Sequence, residues 1–389
     1  MNRPESSLPQ SRRPESAHPA WAEIDLGTLD RNCRALTARL KPGTHIIASI
    51  KADAYGHGVV PIAERLAASG VFALATGDFD EAVAVRRAGI AGKILMFGGN
   101  LPDAMGDLLE HDLIPTIYNM AAAEAVSKAA AKPTAVYIKV DCGLGRLGIL
   151  ADDAVPFILA VSRLPNVVVE GVYTHVPFGD RAGAAWSQGG LRRFDSIIAA
   201  LAKQGLNVPI TQARASAGAL MGLEDSCNAV CAGHVLYGLS PMVAGEATMD
   251  GFEPILRSVQ SRLIHVGRHP AGRDVAIGGL YGLNTAKVTG VIAMGVTNGL
   301  RMPARGQRAS VLLRGRRVPV ISVSLEHTTL DLTGFEDATV GELVTAVGRD
   351  GAERISIEEF AGWQERSPLE AIMTLSKRLP FRYRADSAG

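Results

Sequence analysis

HIIASIKADAYGHG, residues 45–58, opens on a short, mostly apolar run that closes at Lys51. Such a run reads as a strand covered on both sides, and VVPIAERLAAS (59–69) follows it with apolar residues at every third or fourth position, as a covering helix requires. The same alternation recurs as far as Tyr237. Seven further runs are VFALAT (71–76), KILMFG (93–98), LIPTIY (113–118), AVYIKV (135–140), VVVEGVYTH (167–175), VPITQARAS (208–216) and AVCAGHVLY (229–237), with helical segments such as FDEAVAVRRAG (79–89) between them. Strands alternating with helices build a parallel sheet, and eight repeats close a barrel better than they extend an open sheet. The expected fold is α/β, a (β/α)8 TIM-type barrel.

After Leu239-Ser240-Pro241 the helical period is lost, and Gly, Arg and β-branched residues alternate over short distances. A β-rich second domain is expected there, with strands in SRLIHVG, KVTGVIAMG, RASVLLRG, RVPVISVSLEH and LVTAVGR before a last helical segment, ERSPLEAIMTLSKRL. The early strand WAEIDL (21–26) can pair with either domain. The Pro- and Ser-rich start reads as a disordered tail, so the expected organisation is a tail over 1–20, a barrel over 21–241 and a β-rich domain over 242–389.

With 389 residues, 47% hydrophobic and 20% charged, the chain can bury a large core. Its 40 basic and 39 acidic side chains nearly cancel, which leaves no bulk field for nucleic acid or an anionic membrane. Four cysteines, Cys33, Cys142, Cys227 and Cys231, are too few for a disulfide scaffold and point to a reducing cytoplasm. Arg12-Arg13 is followed by no apolar stretch that would make it an export signal, no run is long enough for a membrane span, and no metal site is expected.

In a β/α barrel the chemistry sits where strands end. Lys51 ends the first run, and a lysine there is costly to bury as a cation, so its pKa should fall and its amine become a nucleophile toward an aldehyde. Taken alone it reads better as a cation snorkelling from the barrel rim. The octapeptide KADAYGHG (51–58) resembles the cofactor-lysine motif of alanine racemases. By that resemblance Lys51 holds pyridoxal 5′-phosphate as a Schiff base and acts as a base on one face of the substrate α-carbon, while Tyr55 hydrogen-bonds the phosphate. KVDCGLGRLG (139–148) is similar to the segment in which the family's arginine orients the cofactor and the substrate carboxylate, which makes Arg146 that residue. Lys139 matches a lysine that some members carry as a carbamate. His175 matches the histidine beside the cofactor ring, and Ser216, Gly233 and His234 match positions around the phosphate. The resemblance spans Trp21 to Arg384 and implies a head-to-tail homodimer in which the β domain of one subunit completes the site of the other.

The chain also departs from the family. The second base there is a tyrosine in a GYADG-like loop, and here the loop reads Gly295-Val296-Thr297-Asn298-Gly299. Valine carries no proton, so a two-base mechanism cannot run through this position. Where the family sets an arginine against the pyridine nitrogen, this chain has Cys231, which changes the ring as an electron sink. A Met-Asp pair near the substrate carboxylate aligns with Leu325-Glu326, and a phosphate-binding tyrosine aligns with Leu369. Tyr281, His327, His234 and Cys231 are candidates for a replacement acid or base. Three functions follow: an amino-acid racemase, a one-base enzyme (aldolase, dehydratase or decarboxylase), and a pyridoxal-phosphate-binding protein with little turnover.

Overall fold

The structure is a computed structural model that describes residues 18–275, 281–303, 307–375 and 378–385, together with the backbone but not the side chain of Tyr281. It divides into two compact units. Among the described residues one comprises 25–255 and 383–385, and the other 18–24 and 256–382. This division falls at 255/256, and residues 242–255 are tied back onto the first unit. Asn32 Nδ2 donates to Glu253 O at 2.8 Å, and Ile255 N–H donates to Tyr237 O at 3.2 Å.

The strands of the chain to residue 232 are β1 (Ala20–Asp25), β2 (His45–Ser49), β3 (Ala73–Thr76), β4 (Lys93–Met96), β5 (Thr116–Ile117), β6 (Thr134–Asp141), β7 (Ile149–Leu150), β8 (Val167–Tyr173), β9 (Ile210–Ala215) and β10 (Ala229–Ala232). Eight of them form a parallel sheet in the order β4-β3-β2-β10-β9-β8-β6-β5, with β7 attached to β6. A parallel bridge between Leu95 and Ile114 joins β4 to the approach of β5 and closes the sheet. Each of the eight runs read from the sequence contributes one strand, and the fold is the expected (β/α)8 barrel.

Strands are shorter than the apolar runs for local reasons. Pro115 has no N–H for a ladder, so LIPTIY supplies only β5. AVCAGHVLY is strand only to Ala232, after which His234–Tyr237 is a 3-10 turn ending at Gly238 in the left-handed region (φ 68°). Ile47, Ala73, Ala75, Leu95, Tyr137, Tyr173, Ile210 and Ala229 fill the barrel interior. Large and small residues are matched in that interior. A Cβ at Gly171 would lie 2.2 Å from Tyr137 Cε1, so the tyrosine requires the glycine.

In the second unit Leu256–His269 pairs antiparallel with both Lys287–Ile292 and Leu343–Asp350. With Ser310–Leu313, Arg316–Val323 and Thr328–Asp331 these strands close a six-membered antiparallel ring. β1 pairs with Leu256–His269, Ala20 opposite Ser261, so the strand that the sequence left open belongs to this β-rich unit. Ala20 is thus ordered in β1, and residues 1–17 of the expected tail lie outside the described residues. The last helical segment is a helix over Pro368–Leu375.

Candidate active site

The barrel opens at the C-terminal ends of its strands into a cavity of about 520 Å³. Lys51, Tyr55, Lys139, Arg146, His175, Ser216, Cys231, Gly233 and His234 all line it. The ends of five strands, β2, β6, β8, β9 and β10, with residues scattered over more than 180 positions, therefore deliver the sequence-chosen residues to one place.

Lys51 follows β2 with only Ile50 between them, and the next four residues form a turn of reversed hand. Ala52, Asp53, Ala54 and Tyr55 have φ between 52° and 57°, with no glycine among them. Left-handed geometry costs an ordinary residue about 1–2 kcal/mol, so four in succession persist only because the surroundings impose them. Those surroundings are specific. Tyr55 stacks on Tyr237 (ring centroids 4.7 Å apart), and His57 stacks on the same ring at 5.3 Å. Tyr237 Oη in turn donates to Ser49 O at 2.9 Å, at the end of β2. His57 Nδ1 lies 3.0 Å from Ala54 O, inside the turn, and Tyr383 Oη donates to His57 O at 2.9 Å.

The Lys51 side chain is open to the cavity, yet protein surrounds its ammonium closely enough that desolvation lowers its pKa. Cys231 opposes that shift and Arg146 adds to it. Lys139, from β6, is buried and held down to about 8, by desolvation first and then by Arg146. Desolvation and then the cations Lys139, Lys51 and Arg146 take His175 down to about 3, so this imidazole is neutral across the physiological range. His234 is lowered by burial and by Lys51. Burial pushes the Cys231 thiol up to about 11 against the pull of Lys51 and Lys139, so at neutral pH the group opposite the lysines is an uncharged thiol.

These groups fit a phosphate ester. Among the described residues lining the cavity, Lys51, Lys139 and Arg146 outnumber the single carboxylate, Asp78. Ser216 Oγ accepts from the Gly233 N–H at 3.0 Å, which leaves its own proton for a ligand. A Cβ on Gly233 would lie 2.1 Å from Tyr55 Oη. The glycine therefore keeps the phenol seated beside Ser216. Gly233→Ala is expected to expel the phenol and weaken pyridoxal-phosphate binding at least tenfold, consistent with the ~1.5–3 kcal/mol of one hydrogen bond to a charged group. Titration of the variant with the cofactor, followed by absorbance, checks this, and unchanged affinity counts against the cradle.

Other candidates lie in the second unit. Val296 begins a 3-10 turn, Val296–Asn298, with its side chain exposed. Leu325 is exposed, Glu326 is 3.7 Å from Arg378, and the backbone N–H of the exposed His327 donates to Ser324 Oγ at 3.2 Å. Leu369 sits in the helix Pro368–Leu375 and Tyr281 begins the strand Tyr281–Leu283, its side chain outside the described residues. Sequence reading missed several cavity residues, among them Phe97, Phe178 and Thr76. They follow or end strands, so strand-end position was the signal available for them.

Sequence profiles of the alanine racemase N-terminal and C-terminal domains match residues 24–241 and 256–383. The alanine racemase of Desulfovibrio desulfuricans is 34% identical over 370 residues, covering 94% of this chain and 98% of that one. That of Methanococcus maripaludis is 31% identical over 372 residues, with 94% and 99% covered. Among solved structures, alanine racemase from E. faecalis superposes with a TM-score of 0.86 at 27% identity, covering 95% of this chain and 99% of that chain. The enzyme from Bacillus anthracis with bound L-Ala-P gives 0.84 at 27% identity, covering 95% and 96%. With matching profiles over most of its length and relatives above 30% identity along nearly all of it, this chain belongs to the alanine racemase family.

Proposed function

We propose that the chain is an alanine racemase-like amino-acid racemase that holds pyridoxal 5′-phosphate on Lys51. One observation carries the reading: an amine of lowered pKa stands at a strand end in the same cavity as the Tyr55, Ser216 and Gly233 cradle and the Arg146 guanidinium. When bound, the cofactor supplies an electron-withdrawing ring that acidifies the α-proton of an amino acid. Lys51 takes and returns that proton on one face, and Arg146 presents its fork of donors to the substrate carboxylate. His175 stays neutral beside them. Lys139 is neutral far more often than an ordinary lysine, which supports the carbamate implied by the resemblance.

A head-to-tail homodimer belongs to this proposal, the β-rich unit of one copy completing the cavity of the other. It is supported by exposed apolar side chains that follow the C-terminal ends of barrel strands, Leu101, Leu150, Trp186 and Val243. No helix of the described residues is long and apolar enough to cross a membrane, and the four cysteines are unpaired, which supports a reducing cytoplasm.

Two residues favour a second reading, a one-base reaction such as aldol cleavage, dehydration or decarboxylation. Val296 carries no proton, and Cys231 offers an uncharged thiol in the cavity. Incubation of the cofactor-loaded chain with L- and D-alanine, and with β-hydroxy amino acids, in deuterated water distinguishes them. α-Deuterium with inversion is expected. Exchange with retention makes the chain a one-base enzyme, and no exchange leaves a binding protein with little turnover.

A further inference from the structure

We propose that Glu81 is a positioning residue, whose carboxylate caps the left-handed turn 52–55 from outside and so sets where Lys51 stands. The inference rests on the reading that Lys51 carries the cofactor. A turn of either hand leaves N–H groups without partners at its start. Ile50, which precedes this one, supplies no side-chain cap. The Asp53 N–H instead donates at 2.5 Å to Glu81 Oε1, from a helix 28 positions further on.

The geometry around Glu81 is arranged for that reach. Glu81 stands three residues after Asp78, the N-cap of the helix Phe79–Arg87, and its own N–H donates to Asp78 Oδ1 at 3.0 Å. In a capping box the side chain at this position turns back to the N–H of the cap residue. Here the Asp78 N–H goes to Thr76 Oγ at 3.2 Å, and the Thr76 hydroxyl donates to Glu81 Oε2 at 2.7 Å. One carboxylate oxygen is thus anchored on the buried Thr76 at the end of β3, and the other is free for the turn.

Lys51 feels this directly. Its predecessor Ile50 is held from both sides: the Ile50 N–H donates to Ala75 O at 2.8 Å, and Ile50 O accepts from the Ala54 N–H at 2.9 Å. Asp53 Oδ1 further accepts from the Val59 N–H at 2.7 Å, which ties the far end of the turn to the next helix. Removing the Glu81 contact leaves four residues of unfavourable hand with one clamp fewer, and Lys51 is the residue from which they spring.

The test uses the full chain with and without pyridoxal phosphate. In Glu81→Ala, hydrogen exchange of the 52–55 amides in the cofactor-free chain accelerates about tenfold, and the dissociation constant for pyridoxal phosphate rises about tenfold, the scale of one lost hydrogen bond. Glu81→Gln retains an acceptor for the Asp53 N–H and brings both values back to within about threefold of wild type. Glu81→Asp, one methylene short, behaves like alanine and serves if the alanine chain does not fold. Unchanged exchange in the turn, or equal losses in the glutamine and alanine variants, overturns the proposal. If the wild-type chain attaches no cofactor at Lys51, the cofactor reading fails, and the exchange measurement still judges the cap.

Discussion

Lys51→Ala is expected to lose the absorbance band near the visible edge that the cofactor-loaded wild type shows, and its turnover falls by roughly 10⁴-fold or more. On the proposed reading two functions leave together, covalent attachment and proton transfer, and proton transfer alone is worth about 10²–10⁴. The two losses do not simply multiply, because each is useless without the other. The substitution is well placed to be informative. Lys51 lies outside the four residues with positive φ, so alanine meets no backbone strain there, and truncating an exposed side chain opens no core cavity. The variant should therefore melt within a few degrees of wild type and still bind the cofactor's phosphate, only reversibly. A band that survives, and that borohydride fixes elsewhere, would move the attachment to Lys139, the other amine lining the cavity among the described residues.

Barrel strands were legible because strands buried on both faces leave short apolar runs at regular spacing, and periodicity finds these without any tertiary information. Residues that line the cavity were legible for a related reason. Lys51, His175, Ser216 and Gly233 each stand at or just past the end of such a run, so placing the strands placed them. What stayed hidden was set by contacts distant in the chain. The stretch from Ala52 to Tyr55 contains no glycine, and its left-handed turn depends on Tyr237, Glu81 and Tyr383, which approach from three other segments. β1 could not be assigned beforehand because its partner, Leu256–His269, lies more than 230 residues away and alternation alone suits any antiparallel edge. The expected boundary near residue 241 was read from texture, which carries no information on long-range ties such as that from Asn32 Nδ2 to Glu253 O.

Val296→Tyr is expected to raise alanine racemisation by about 10²–10⁴-fold, the usual worth of a positioned acid or base. The loop can accept the ring without refolding. Its backbone is pinned independently of the valine side chain, with the Val296 N–H donating to Ser324 O and the Thr297 N–H to Leu325 O, both at 2.9 Å. Neighbouring Gly295 already holds the close approach, since a Cβ there would lie 2.4 Å from Ser324 O, and Val296 itself is exposed. An exposed position with a fixed backbone changes stability by only about 0.5 kcal/mol, so a change in rate reports chemistry. Val296→Phe supplies the control, because it adds the ring without the hydroxyl. Equal gains in both variants would mean that bulk at the loop matters and the proton does not. If neither gains, the tyrosine is not the missing part, and Cys231, the uncharged thiol that lines the cavity, becomes the next position to test. Cys231→Arg combined with Val296→Tyr then decides between a racemase lacking two groups and an enzyme built for one base, because only the former recovers inversion at the α-carbon.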